Sequence, residues 1–143
     1  MESKPIIRSF EDLECWKACR ELRLFVSKTV VPHLPKEEQF RPKDQILRSS
    51  RSTTANLAEG YGRYHHLDNA KFVSNARGSL YETLDHLSAA YDESFISEET
   101  LKAGRVLVIQ AARITNGYME YLKRTTLGPP PKPSTKNNTP NNQ

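Results

Sequence analysis

Apolar residues recur along this chain at spacings of three and four, the period of a helix that buries one face. In the first such run, Leu13, Trp16, Cys19, Leu22, Val26 and Val30 make a broad stripe. Ser9 stands before it as a candidate N-cap, with Glu11 and Asp12 in the first turn where the helix dipole favours acids, and Pro32 and Pro35 end it. A second helix begins near Pro42, which a first turn tolerates, and turns Ile46, Ser50, Thr53 or Thr54, Leu57 and Tyr61 inward. It is short of large hydrophobes. Its small residues Ser49, Ser50, Ser52, Ala55 and Ala58 predict a neighbouring helix at close range.

The third helix, from about His66 to Phe95, has the clearest period: Val73, Ala76, Leu80, Leu84, Leu87, Tyr91 and Phe95. At ~1.5 Å per residue it spans roughly 45 Å. The fourth opens on Ser97 as N-cap with Glu98 and Glu99 behind it, and lines up Leu101, Val108, Ala111, Thr115, Tyr118 and Leu122. Leu107, Ile114 and Tyr121 form a second apolar row beside that face. So wide a surface exceeds what one neighbour covers and predicts a subunit interface.

No segment reads as a strand. The β-branched run "RVLVIQAARI" is ambiguous over five residues, but its flanks continue at helical period and it stays helical. The fold class is therefore all-α, with one domain over residues 1–127, a size at which a real core forms without staples. From Gly128 on, "GPPPKPSTKNNTPNNQ" has no large hydrophobe and is expected to be a disordered tail over 128–143, its P-x-x-P a stiff linker. There is no repeat at solenoid period.

Charge is distributed in stripes. The net charge is +4 overall, but residues 41–77 carry seven basic side chains against three acidic, residues 78–104 swing to −5 and residues 105–127 return to +3. Cys15 and Cys19, four apart, share a helix face and read as free packed thiols. With four scattered histidines they match no zinc spacing, so no metal or other cofactor is expected. No apolar run approaches the ~20 residues of a membrane span, and the N-terminus lacks a signal-peptide core. The expected setting is soluble and cytoplasmic, away from membranes.

One stretch invites a chemical reading. "ANLAEGYGR", residues 55–63, could be a phosphate loop, a catalytic carboxylate site or a helix end beside a polar contact. Phosphate loops place their glycines after a strand and before a helix, whereas these follow a helix, so Gly60 and Gly62 read as helix-ending residues able to take positive φ. Glu59 lacks a titratable partner at catalytic range and reads as a structural acceptor for backbone or an arginine. Asn56, three residues earlier, could share a polar network with it. No nucleophile with a base, acidic pair or cofactor fingerprint points to an enzyme.

Three segments, "FEDLECWKACRE", "QILRSSRSTTANLAEGYGR" and "ARGSLYETLDHL", resemble in order and spacing the bacterial four-helix bundle family encoded in intervening sequences of 23S rRNA genes. The resemblance covers about residues 8–124. It implies an antiparallel up-and-down four-helix bundle that assembles as a homopentamer with a basic surface. Relatives that serve as accessory proteins of diversity-generating retroelements bind nucleic acid and a reverse transcriptase. Arg48, Asn56, Glu59, Gly60, Arg77, Gly78 and Ser79 match the family pattern as they stand. Thr53 and Thr54 replace its usual Ile-Pro, and His65 stands where it often has a serine cap.

The expected function is a non-enzymatic oligomeric accessory protein binding RNA or DNA through basic patches, with Arg41, Arg48, Arg51 and Arg63 as the phosphate contacts. Asn56, Glu59 and Arg77 are assigned to structure. Five copies would carry +20, so weak patches could act together. No aromatic platform for single strands is legible. The alternative is a protein-interaction scaffold, in which the acids Glu82, Asp85, Asp92 and Glu93 meet a basic partner or a neighbouring subunit's Arg48, Arg51, Arg105 or Arg113.

Overall fold

The computed structural model describes residues 6–37 and 41–126, so the tail expected over 128–143 lies outside the described residues. Four long helices carry it: α1 (Glu14–Phe25), α2 (Pro42–Tyr61), α3 (His66–Asp92) and α4 (Glu98–Thr126). No strand occurs among the described residues.

The first element is more articulated than one continuous helix. Ser9 does act as a cap, but of a 3-10 turn at Phe10–Asp12: its Oγ accepts from Glu11 N at 3.1 Å, while the Asp12 carboxylate accepts from Arg8 N and Ser9 N at 2.9 and 3.2 Å. After α1 the backbone widens into a π turn, Val26–Val30, and tightens into a 3-10 turn, Val31–His33, that takes Pro32 near its start. The wider turn keeps Val26 and Val30, four apart, on one fully buried face.

The third helix stops at Asp92, three residues short of the expected Phe95. Ser94 adopts φ 65°, which reverses the chain. Phe95 N then donates to Ala90 O and Ser94 N to Tyr91 O, both at 2.9 Å, the paired bonds that satisfy a helix end when the residue after its cap is left-handed. Phe95 is thereby folded back against the core. Ser97 caps α4 as expected, its Oγ accepting from Thr100 N at 3.1 Å.

The helices pack as neighbours around a square, α1 against α2 and α4, α3 against α2 and α4. Contacts along the α2–α3 and α3–α4 seams run in opposite sense, so these two pairs are antiparallel. On α2 and α3, Ser49 meets Thr83, Ser52 meets Ser79, and Gly60 lies on Asn69. On α3 and α4, His66 meets Thr125, Asn69 meets Tyr118, and Leu87 lies on Gly104. Leu22, Ile46, Leu57, Leu80, Leu87, Val108 and Leu122 fill the centre with no exposed surface to speak of. Of the second row expected on α4, Leu107 and Ile114 pack against this core, leaving Tyr121 exposed. The apolar side chains that α4 does present outward are Val106 and Ile109.

Candidate nucleic-acid interface

The α2–α3 seam explains the small residues of α2. Ser49, Ser50, Thr53 and Thr54 are all buried, and each hydroxyl bonds back to a carbonyl three residues earlier in its own helix. Two of the seam's hydroxyl pairs then cross to α3, Thr83 Oγ1 to Ser49 Oγ and Ser52 Oγ to Ser79 Oγ, each at 2.9 Å. Asn56 joins this ladder by donating to Ser52 O at 2.8 Å and Ser52 Oγ at 2.9 Å. Glu59 does not. It faces outward and pairs with Arg63 at 3.0 Å, so the shared Asn56–Glu59 network is not formed.

Gly62 ends α2 as expected, whereas Gly60 does not. Gly60 lies inside α2 and is buried, and Gly62 caps the helix at φ −74°, so neither takes positive φ. Gly60 is there for space. A Cβ on it would lie 2.6 Å from Asn69 Oδ1 and 2.8 Å from Phe72 Cβ, closer than real side chains come. Thr53 and Thr54 occupy an uninterrupted helix, with no proline to kink it.

The four candidate arginines are all exposed, but they do not make one patch. Arg48 and Arg51, one turn apart, share the outer face of α2. Arg41 precedes α2 in the left-handed region at φ 33°, and Arg63 lies beyond its other end, roughly 30 Å away along a helix of that length. Arg48 Nη2 reaches Glu82 Oε1 at 3.5 Å, so the basic stripe of α2 and the acidic stripe of α3 meet within one chain. Both groups are solvated, and a pair of that kind holds its arginine by only about 0–1 kcal/mol. Arg63 is better placed, between Glu59 and the face of Phe72, whose centroid is 4.7 Å from its guanidinium carbon. Arg51 has no ion-pair partner among the described residues. Arg77 is exposed and lies over the Tyr81 ring at 5.5 Å.

The bundle end where α2 stops and α4 ends holds a pocket of about 470 Å³. Tyr61, Arg63 and Tyr64 come from the end of α2 and the following turn, His66 and Asn69 from the start of α3, Tyr118 and Tyr121 from the end of α4. Asn69 Nδ2 donates to Tyr118 Oη at 2.9 Å, and its Oδ1 is buried without a hydrogen-bond partner among the described residues. Burial pushes the Tyr118 phenol up, an effect the Asn69 bond opposes. Tyr118 and Tyr121 stack, centroids 6.4 Å apart and planes within 15°. Tyr64 projects almost entirely into solvent, 93% exposed, edge-on to His65.

The sequence profile of the 23S rRNA-intervening sequence protein family matches residues 11–117. This chain belongs to that family. Its fold is shared by the crystal structure of a protein of unknown function from the S23 ribosomal protein family of Bacteroides thetaiotaomicron, with a TM-score of 0.67 and 19% sequence identity over 74% of this chain and 98% of that one. No curated protein matches.

Within this family member, the tyrosine pocket is what sequence reasoning missed. Tyr61 and Tyr118 read there as core positions and Tyr121 as an interface residue, each on its own helix. The available signal was positional: four of the six tyrosines fall at 61, 64, 118 and 121, and antiparallel order puts the end of α2, the start of α3 and the end of α4 together. The buried thiols lie elsewhere, in the core. Burial raises Cys15 to about 12, and burial raises Cys19 to about 11 against the opposing Thr53 and Thr115 hydroxyls. Among the described residues no group of three His, Cys, Asp or Glu could hold a metal, and no helix is long and apolar enough to cross a membrane.

Proposed function

We propose that this chain is a non-enzymatic, oligomeric accessory protein that binds nucleic acid through basic surface patches. The observation that carries the reading is the exposed Arg48–Arg51 pair on the outer face of α2, with Arg51 free of any ion pair among the described residues and Arg48 held only by a weak, solvated contact. Side chains one turn apart reach neighbouring phosphates, and repetition of the pair around an assembly, expected to be a pentamer, would multiply a weak contact. Assembly is supported by Val106 and Ile109, 63% and 42% exposed on α4, and by Gly117, where an added Cβ would meet nothing within 4 Å among the described residues. A glycine inside an exposed helix costs about 1 kcal/mol relative to alanine, and close approach by another helix would offset that cost.

The family's descriptor and the S23 ribosomal neighbour favour RNA as the first ligand to try. Affinity for structured RNA and duplex DNA at two salt concentrations, with mass in solution measured alongside, tests the proposal. An oligomer whose binding falls steeply with salt, with a slope reduced by about one in Arg51→Ala, agrees with it. An oligomer that binds neither nucleic acid would instead favour the scaffold reading, with a protein such as a polymerase as partner.

A further inference from the structure

We infer that the tyrosine-lined pocket receives one unstacked base of a single-stranded nucleic acid. The inference rests on the nucleic-acid reading above and adds to it a contact that duplexes cannot make. The pocket's volume of about 470 Å³ is that of a small-molecule site. Its rim offers flat aromatic faces that the bundle leaves uncovered, Tyr64 at 93% exposure and Tyr121 at 51%. A base stacks on such faces whatever its identity, and aromatic side chains beside cations are the usual platform for single strands.

The polar atoms suit a base edge. Tyr118 Oη already accepts the Asn69 amide hydrogen, so its own O–H remains free to donate. Thr125 Oγ1 sits 3.1 and 3.0 Å from the carbonyls of Tyr121 and Leu122, which take its hydrogen. Thr125 Oγ1 also lies 2.8 Å from His66 Nδ1, a hydrogen bond that fixes the orientation of the imidazole ring at the pocket. The Tyr118 hydroxyl, the His66 ring and two stacking faces border the space, and Arg63, which Glu59 pairs only at the exposed surface, lines it as the cation for an adjoining phosphate. A base stacked inside a duplex presents neither its faces nor its Watson–Crick edge to such a site.

The test uses full-length protein with a single-stranded oligonucleotide carrying 2-aminopurine, as RNA and as DNA, and the same strand in duplex. Because Tyr64 is almost fully exposed, Tyr64→Ala leaves the core intact. The single strand is expected to bind more tightly than the duplex, with a change in 2-aminopurine emission. Tyr64→Ala should weaken single-strand binding about tenfold without affecting the duplex, and Tyr64→Phe should restore it. Single strands bound with unchanged emission and full affinity in Tyr64→Ala would overturn the pocket while leaving the basic-patch reading standing. Binding to neither form would remove both.

Discussion

Replacing Gly60 by alanine adds one methyl group to the tightest point of the α2–α3 seam. In an isolated helix the change stabilises by about 1 kcal/mol, because glycine pays the larger backbone entropy. Here the new Cβ would lie 2.6 Å from Asn69 Oδ1, 2.8 Å from Phe72 Cβ and 3.1 Å from Asn69 O. The amide oxygen can swing aside, at the expense of the Asn69–Tyr118 hydrogen bond, a loss of about 1 kcal/mol. Phe72 Cβ and the Asn69 carbonyl are fixed to the α3 backbone, so the helices must separate locally by several tenths of an ångström, an overpacking cost of about 1–3 kcal/mol. The balance is a net destabilisation of about 1–3 kcal/mol. Urea unfolding read by circular dichroism should show a lower midpoint at unchanged slope. Gly78→Ala is the matched control: same substitution, interior of α3, nothing within 4 Å among the described residues. It should stabilise the monomer by up to about 1 kcal/mol. If Gly60→Ala proves as stable as Gly78→Ala, close packing is not why residue 60 lacks a side chain.

Burial of Cys15 and Cys19 predicts that iodoacetamide leaves both unmodified in the folded protein at pH 8 and labels them once urea unfolds it. Since their folded pKa values are raised, to about 12 and about 11, the neutral thiols support the fold below the ordinary thiol pKa, and that support is lost as pH rises from about 9 towards those values. A Cys15→Ala variant should show a shallower alkaline decline in urea midpoint. Asp12 has the opposite sign: hydrogen bonds from the Arg8 and Ser9 backbone amides lower its pKa, so its contribution is present above the ordinary carboxylate value and is lost as pH falls through the folded one. Asp12→Asn should remove that dependence from the acid limb of the stability curve.

The helices themselves were legible because their apolar positions repeat at helical period over many turns, and the caps at Ser9 and Ser97 were legible because Ser followed by acids is a local signal. The third helix was read too long because Tyr91 and Phe95 continue its spacing. What ends it is a left-handed Ser94, and nothing in Ser's chemistry announces that conformation. The closeness of α2 and α3 was readable from the serines, yet the role of Gly60 was not, since its neighbours Asn69 and Phe72 are known only once α3 is laid antiparallel against it. The arginines were correctly placed on the surface. Their separation into a central pair and two distant ends follows from the helix length, whereas the Glu82 contact and the Phe72 stack depend on tertiary packing.

Asn69 joins the seam to the pocket. Its Oδ1 is packed against Gly60, and its Nδ2 holds the Tyr118 hydroxyl. The absence of a side chain at residue 60 therefore sets where Asn69 sits, and Asn69 sets which way Tyr118 offers its remaining hydrogen. A change confined to the seam must then be felt at the other side of Asn69. Gly60→Ala, in whatever fraction remains folded, should alter the tyrosine signal in near-ultraviolet circular dichroism, and Gly78→Ala should not. Two variants that differ in stability but share the wild-type tyrosine spectrum would mean that seam and pocket are built independently, and that the amide is held in place by the Tyr118 bond rather than by contact with residue 60.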